Sequence, residues 1–257
     1  MAVMRHLKKQ RRIGLLFLVV VLAVVTYLAW PNKAAAPTAS KNSSTSTASG
    51  SAGFNKQQYS TTDPTIIWVV VNKPHPLSPI DYAPADLVVP NVPLRVPGNE
   101  SMQRRAPAAT ALEQMFAGAK AAGLNLMLAS GYRSYNYQVG LYNGYVNTEG
   151  QATADTQSAR PGHSEHQTGL AVDIEPDSRK CELGQCFANT PEGKWLAANA
   201  YRYGFILRYT PNKVAITGYE SEPWHFRYIG KDLAQQMRAS GITTLEEFFG
   251  ISGGQNY

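Results

Sequence analysis

The stretch PGHSEHQTGLAVDI, residues 161–174, brings two histidines, a glutamate and an aspartate together among glycines and small or apolar residues. It is either a polar surface loop or the source of two ligands for a metal whose third ligand lies elsewhere. A catalytic zinc needs three nitrogen or oxygen ligands and an open position. His166 and Asp173, with His225 further along the chain, meet that demand. Gly169 would let the backbone turn so that the first two side chains face one point.

A glutamate stands three residues before His225, in EPWH (222–225). A carboxylate that lies beside a metal without binding it can take a proton from water and pass it to a leaving amine. Either pattern alone is more often a coincidence than a metal site, but the two together favour a zinc hydrolase with Glu222 as its base. His163 is interpreted as a loop residue and not as a ligand.

The first thirty residues have the pattern of a membrane anchor. MAVMRHLKKQRR (1–12) is basic without an acid, and residues 13–30 carry no charge. As a helix, this uncharged run would span roughly 27 Å, close to the thickness of the hydrocarbon core. By the positive-inside rule, we predict a single-pass cell-membrane protein with a cytoplasmic N-terminus and an extracytoplasmic catalytic domain. A cleaved signal peptide is the alternative.

The chain divides by composition after this segment. Residues 31–62 are rich in Ser, Thr, Ala, Lys and Asn, which is typical of a flexible linker, and residues 63–257 are predicted to form one domain. The net charge of +6 belongs to the N-terminal part, because residues 63–257 hold 16 basic and 18 acidic side chains. The basic surface of nucleic-acid-binding proteins is therefore not expected, and no nucleic acid is predicted as a partner.

Helical and strand patterns interleave irregularly in residues 63–257, which predicts an α+β fold and not a regular parallel α/β sheet. Strands are predicted at 65–72, 125–129, 169–175, 205–209 and 222–229. Helices are predicted from Pro107 to about 122, from a Ser134 cap to about 150, from a Thr190 cap to Gly204, at 231–239 and after Thr243. The aromatic face of the second helix, with Tyr137, Tyr142 and Tyr145, is expected to lie in the core.

The two cysteines, Cys181 and Cys186, are separated by five positions. In a chain expected outside the cytoplasm, such a pair predicts a disulfide that closes a small loop. A redox or zinc pair is the weaker alternative, because the spacing is not Cys-x-x-Cys.

Two motifs carry a resemblance to a known family. SEHQTGLAVD (164–173) followed by EPWH (222–225) resembles SxHxxGxAxD and ExxH of the zinc D,D-peptidase group, which includes VanY-type D-alanyl-D-alanine carboxypeptidases, VanX dipeptidases and the Hedgehog-like fold. SGYRS (130–134) and VNKPHPL (71–77) extend the resemblance. It implies a Hedgehog/D,D-peptidase-like fold, with a central, mostly antiparallel sheet and helices packed around it.

The resemblance also implies roles for individual residues. His166, Asp173 and His225 would hold one zinc ion per chain, and Glu222 would be the general base. Arg133 would stabilise the oxyanion that forms when water adds to the scissile carbonyl. A surface salt bridge is the alternative for this arginine.

Recognition of the substrate's terminal carboxylate is a further implication. The resemblance assigns that pocket to five residues, namely Gln138, Ser158, Ala159, Arg160 and Ser164. Arg160 could instead pair with an acid. The loop between the two cysteines is expected near the mouth of the cleft, where it could change the preferred substrate.

These implications predict a zinc D,D-carboxypeptidase that removes the C-terminal D-alanine of peptidoglycan pentapeptides, with peptidoglycan stem peptides or precursors as partners. One alternative is an L,D-carboxypeptidase acting on tetrapeptides. Another is a peptidoglycan-binding module without activity, which would not need Glu222 and Arg133. A serine-type D,D-peptidase is not supported, because the chain has no Ser-x-x-Lys and no Lys-Thr-Gly.

Overall fold

The computed structural model describes residues 54–257, which form a four-stranded sheet, a two-stranded sheet and surrounding helices. In chain order the strands are β1 (Leu87–Val88), β2 (Arg104–Arg105), β3 (Leu126–Ser130), β4 (Ala171–Pro176), β5 (Phe205–Leu207) and β6 (His225–Tyr228). The α-helices are α1 (Ala106–Ala121), α2 (Tyr135–Glu149), α3 (Gln151–Gln157), α4 (Pro191–Asn199), α5 (Val214–Thr217), α6 (Lys231–Ser240) and α7 (Leu245–Phe249).

The larger sheet has the order β3-β4-β6-β5, and all three of its strand pairs are antiparallel. This confirms the prediction of a mixed fold of helices around a mostly antiparallel sheet. In the register of β4 with β6, Asp173 lies directly opposite His225. Directly opposed residues of an antiparallel pair have their Cβ atoms about 4.5–5.5 Å apart. The sheet therefore places two of the predicted ligands side by side.

The main core lies between the sheet and α1. Val172 and Ile174 of β4 belong to the same buried apolar cluster as Leu112 and Met115 of α1. Because successive side chains of a strand point to opposite faces, Asp173 points away from this core. The central strand thus contributes apolar side chains to one face and a carboxylate to the other.

Two of the three predicted helix caps are confirmed. Ser134 accepts a hydrogen bond from Tyr137 N at the start of α2, and Thr190 accepts one from Gly193 N at the start of α4. The cap of α7 is Thr244, which accepts from Glu247 N, one position later than the predicted capping box. Helix α3 was not predicted.

The strand predicted at 65–72 is wrong. These residues are largely buried, but they join no sheet in the described part of the chain. The carbonyl groups of Ile67 and Val69 accept hydrogen bonds from Arg227 Nη2, at 3.1 and 2.7 Å. A buried guanidinium group therefore satisfies backbone acceptors that would otherwise need a neighbouring strand.

Residues 54–62 belong to the folded part and not to a linker. Phe54 stacks on Trp68 with ring centroids 5.5 Å apart, and Lys56 Nζ donates to the Phe248 carbonyl at 2.6 Å. The boundary predicted at residue 63 therefore lies inside the folded part.

The prediction of a single-pass membrane protein is corrected at this point. Among residues 54–257, no helix is both long and apolar enough to cross a bilayer. The segment 13–30, on which that prediction was based, lies outside the described residues, and so do residues 31–53 of the predicted linker.

Candidate metal centre and substrate pocket

Three predicted ligands converge at one end of the sheet. One ligand-type atom from each of His166, Asp173 and His225 lies within 4.8 Å of the other two. His166 Nε2 is 3.4 Å from Asp173 Oδ2, and His225 Nδ1 is 3.3 Å from Asp173 Oδ1. Two atoms bound at about 2.1 Å to one tetrahedral ion would lie about 3.4 Å apart. The separations in the cluster therefore fit a zinc ion.

The hydrogen bonds around the cluster leave His166 Nε2 and Asp173 Oδ1 free to bind a metal. His166 Nδ1 donates to the Gly131 carbonyl at 2.6 Å, because a carbonyl can only accept, and this leaves His166 Nε2 as the unprotonated nitrogen. Asp173 Oδ1 is buried and has no hydrogen-bond partner among residues 54–257. The bond from His166 Nδ1 to the Gly131 carbonyl is of the kind that usually orients a metal-binding histidine.

Electrostatics also favour a cation at this position. Burial, with the positive charge of Arg133, lowers the pKa of His166 to about 4, so this imidazole is neutral as metal binding requires. Burial opposes charge on His225, but the carboxylates of Asp173 and Glu165, which lie 3.3 and 3.5 Å from its ring nitrogens, outweigh it and raise its pKa to about 9. The surrounding carboxylates therefore stabilise a positive charge at the cluster.

The candidate base, Glu222, lies beside the cluster. Its Oε2 is 3.4 Å from His225 Nδ1, and 23% of its side chain remains exposed towards the pocket. The turn before β6 fixes it, since Glu222 N donates to the Tyr209 carbonyl and His225 N donates to the Glu222 carbonyl. Its poorly solvated position raises the pKa of Glu222 to about 7, despite the opposing charge of His225. A carboxylate of that pKa can both accept and return a proton near neutral pH.

Sequence analysis missed a second carboxylate, Glu165, which lies beneath the cluster. Its Oε2 is 3.5 Å from His225 Nε2, and its Oε1 accepts from Arg208 Nε at 2.9 Å and from Arg227 Nη1 at 2.8 Å. Burial raises the pKa of Glu165, but the two guanidinium groups outweigh it and hold that pKa well below its usual range. The only sequence signal was its position next to His166. Glu165 is thus an ionised group that can orient His225.

Replacing Glu165 with glutamine should weaken zinc binding about 10- to 100-fold, because the second ring nitrogen of His225 loses its carboxylate partner. Competition with a chromogenic chelator measures the dissociation constant. Glu175→Gln is the matched control. Glu175, on β4, is fully buried like Glu165, but its partner is Arg95, 3.4 Å away, and not a predicted metal ligand. Equal zinc affinity in both variants would contradict the orienting role.

Arg133 faces the pocket next to the cluster. Its backbone N–H donates to the His166 carbonyl at 3.2 Å, and its Nη1 donates to Gln138 Oε1 at 3.2 Å. Its Nε is buried and has no partner in the described part of the chain. The side chain makes no salt bridge there, so its charge remains available to a ligand in the pocket.

The five predicted carboxylate-binding residues take different positions. Ser158, Ala159 and Ser164 line the pocket. Gln138 is fully buried behind them and donates to Ser158 Oγ at 3.1 Å and to the Ala159 carbonyl at 2.7 Å. The guanidinium group of Arg160 pairs with Asp155, 2.8 Å away, which was the alternative considered from sequence.

The pocket has a volume of about 450 Å³ and extends from the cluster to α2. Tyr137, Leu141 and Tyr145 of α2 form part of its wall, and Tyr137 is 42% exposed. The expectation that this aromatic face lies in the core is therefore wrong for these residues, although Tyr142 is buried. A helix beside a cleft has the same sequence periodicity as a helix on a core.

The disulfide between Cys181 and Cys186 is present. The loop that it closes carries Leu183, which lines the pocket. Gln185 Nε2 of this loop donates to the carbonyl of Ser221, the residue before Glu222, at 2.5 Å. The loop thus contacts both the pocket and the segment that carries the candidate base.

Comparisons with known proteins show which family this chain is similar to. The family profile for VanY, D-alanyl-D-alanine carboxypeptidase, matches residues 101–231. The putative carboxypeptidase YodJ of Bacillus subtilis (strain 168) is 46% identical over 190 residues, which are 73% of this chain and 68% of YodJ. A D-alanyl-D-alanine carboxypeptidase of Enterococcus faecalis (strain ATCC 700802 / V583) is 39% identical over 146 residues, covering 53% of this chain and 52% of the relative.

Solved structures show the same fold. The LdcB LD-carboxypeptidase matches with a TM-score of 0.69 and 45% identity, over 74% of this chain and 88% of LdcB. A variant of the vancomycin-resistance D,D-pentapeptidase VanY, in complex with Zn(II), matches with a TM-score of 0.54 and 35% identity, over 70% of this chain and 97% of that one.

The fold and these matches define the protein as a carboxypeptidase, an enzyme that removes the last residue of a peptide. The chain belongs to the VanY family of D-alanyl-D-alanine carboxypeptidases.

Proposed function

We propose that the protein is a zinc-dependent carboxypeptidase that releases C-terminal D-alanine from peptidoglycan stem peptides, and that residues 54–257 are its catalytic domain. The observation that carries the proposal is the buried His166, Asp173 and His225 cluster beside Glu222 in one pocket. Two imidazoles and one carboxylate with an open position are a ligand set typical of catalytic zinc. The Zn(II) complex of the related VanY supports the choice of metal.

His166 through Nε2, Asp173 through its carboxylate and His225 through Nδ1 would hold one zinc ion. When bound, zinc supplies a Lewis acid that polarises the scissile carbonyl and lowers the pKa of a water molecule. The protein contributes the fixed orientation of the ligands, since all three are buried and each histidine has a partner on its far side, the Gly131 carbonyl for His166 and Glu165 for His225.

Glu222 would act as the general base and then as the general acid. Its Oε2 takes the proton of the attacking water and delivers it to the nitrogen of the departing D-alanine. Arg133, whose Nε has no partner in the described residues, would donate to the oxyanion of the tetrahedral intermediate. The two side chains line the same pocket and can reach one substrate.

The terminal carboxylate of the substrate would bind near Ser158, Ala159 and Ser164, which line the pocket beside the cluster. Gln138 would act indirectly, because its amide holds the first two of these residues and its carbonyl oxygen orients Arg133. Arg160 would support the loop through its pair with Asp155 and would not contact the substrate.

Two substrates are candidates. The family profile and the D,D-pentapeptidase VanY support a D,D-carboxypeptidase that acts on pentapeptides. The likeness to LdcB, with a TM-score of 0.69, favours an L,D-carboxypeptidase that acts on tetrapeptides as the second candidate. Both reactions release D-alanine, so the difference lies in the residue that precedes the cleaved bond.

Purified full-length protein loaded with zinc should release D-alanine from pentapeptide, tetrapeptide or both, with a clear preference measured as the ratio of kcat/KM. Removal of the metal with a chelator should abolish release, and stoichiometric zinc should restore it. If a chain that binds one zinc ion releases D-alanine from neither peptide, the proposed function is wrong. Activity that persists in chelator without metal would exclude the zinc mechanism.

A further inference from the structure

The hydroxyl group of Tyr257 holds a loop at the edge of the pocket. It accepts a hydrogen bond from the backbone N–H of Arg160 at 2.9 Å and lies 3.4 Å from the hydroxyl of Tyr219. The guanidinium carbon of Arg160 lies 4.2 Å from the centroid of the Tyr257 ring, and the ring of His163 meets it edge to face at 4.9 Å. Tyr257 therefore contacts both ends of segment 160–163.

The residues that Tyr257 contacts either line the pocket or adjoin residues that line it. Ser158 and Ala159, which precede Arg160, line the pocket, and so does Tyr219. Gln138 fixes Ser158 and Ala159 from one side. From the other side, the Tyr257 hydroxyl is the one acceptor of the Arg160 N–H in the described range.

A buried lysine stabilises this arrangement of aromatic rings. Lys73 is 2% exposed, and its Nζ lies 4.9 Å from the centroid of Tyr219 and 5.5 Å from that of Tyr257. Its hydrogen bond goes to the Gln255 carbonyl at 3.4 Å, and it has no salt bridge among residues 54–257. Because the two rings face a desolvated cation, they gain a cation–π attraction that favours their present positions.

We propose that Tyr257 is a positioning residue, which holds the Ser158–Arg160 segment in the conformation that binds the terminal carboxylate of the substrate. The inference rests on the proposed function. Without the hydroxyl, the Arg160 N–H loses its acceptor, while the contacts of the segment with Gln138, Asp155 and the backbone of Ala154 remain. The terminal carboxylate is bound equally in the ground state and in the transition state. Loss of the Tyr257 hydroxyl should therefore raise KM and leave kcat unchanged.

The test is Tyr257→Phe in the full-length protein, which keeps the ring and removes the hydroxyl. We expect KM for the preferred peptide to rise about five- to tenfold, as for the loss of one hydrogen bond to a partly buried donor, with kcat and zinc content unchanged. Hydrogen exchange of the segment around Arg160 should become faster, whereas exchange of β4 should not change. Tyr59→Phe is the control, since Tyr59 is 47% exposed and its hydroxyl makes no hydrogen bond in the described residues.

An unchanged KM together with unchanged exchange near Arg160 would overturn the inference. So would a loss of kcat accompanied by loss of zinc, because Tyr257 would then act on the whole fold. The exchange measurement does not depend on activity, so it stands even if wild-type protein releases no D-alanine. That last result would refute the proposed function and, with it, the role in substrate binding.

Discussion

Substitution of Glu222 by glutamine is expected to lower kcat/KM for D-alanine release at least about 10³-fold, near the middle of the range for the loss of a general base. Glutamine has nearly the same shape and cannot accept a proton. The two histidine ligands do not depend on Glu222 for their orientation, since His166 is held by Gly131 and His225 lies against Glu165. Zinc content and stability should therefore remain near the wild-type values.

The measurement combines steady-state kinetics with metal analysis on the same preparation. Glu220→Gln is the matched control, because Glu220 is an exposed acid two positions away, outside the pocket. Its kinetics should equal those of the wild type. If Glu222→Gln keeps zinc and more than about a tenth of the activity, another group must accept the proton.

Substitution of Arg208 by methionine is expected to destabilise the fold by about 3–5 kcal/mol, the cost of breaking a buried ion pair. Arg208 is fully buried and joins two acids. Its Nε donates to Glu165 at 2.9 Å, and its Nη1 and Nη2 donate to Glu246 at 2.9 and 2.7 Å. The variant leaves Glu246 with only the Asn72 amide as a polar side-chain partner among the described residues, so a carboxylate would remain buried without a counter-charge.

Urea denaturation measures the loss as a change in the free energy of unfolding. Lys213→Met is the matched control, because Lys213 pairs with Glu247, the neighbour of Glu246, at 2.6 Å, and both of these side chains are about one-third exposed. An exposed pair is worth about 0–1 kcal/mol, so this control should lose little. A loss of less than about 1 kcal/mol in Arg208→Met would show that the buried network is not required for stability.

Arg208→Met should also weaken the metal centre. Glu165, which contacts His225, would keep Arg227 as its one remaining guanidinium partner in the described structure. The network therefore links the stability of α7 to the orientation of a predicted ligand. No local sequence pattern indicates this link, because its members lie just after β5, on β6, on α7 and in the segment before β4.

Much of the secondary structure could be predicted because its signals are local. The helix starting near Pro107, the caps at Ser134 and Thr190, and the strand around Asp173 depend on neighbouring residues in the chain. The strand predicted at 65–72 failed for the opposite reason. Its apolar, β-branched residues are suited to a sheet, but the groups that bind its carbonyls belong to Arg227, on a distant strand.

The sequence by itself determined the chemistry that is available. The spacing of His166, Asp173, Glu222 and His225 favoured a metal-dependent hydrolase, since these residue types are suited to a metal ligand or a base. The tertiary structure decided how these groups are held and what surrounds them. The positioning roles proposed for Glu165 and Tyr257 depend on contacts with residues distant in the chain. Arg160 pairs with Asp155, and the aromatic face of α2 lines the pocket. Burial and pairing depend on which distant segments meet, and distance along the chain carries no information about that.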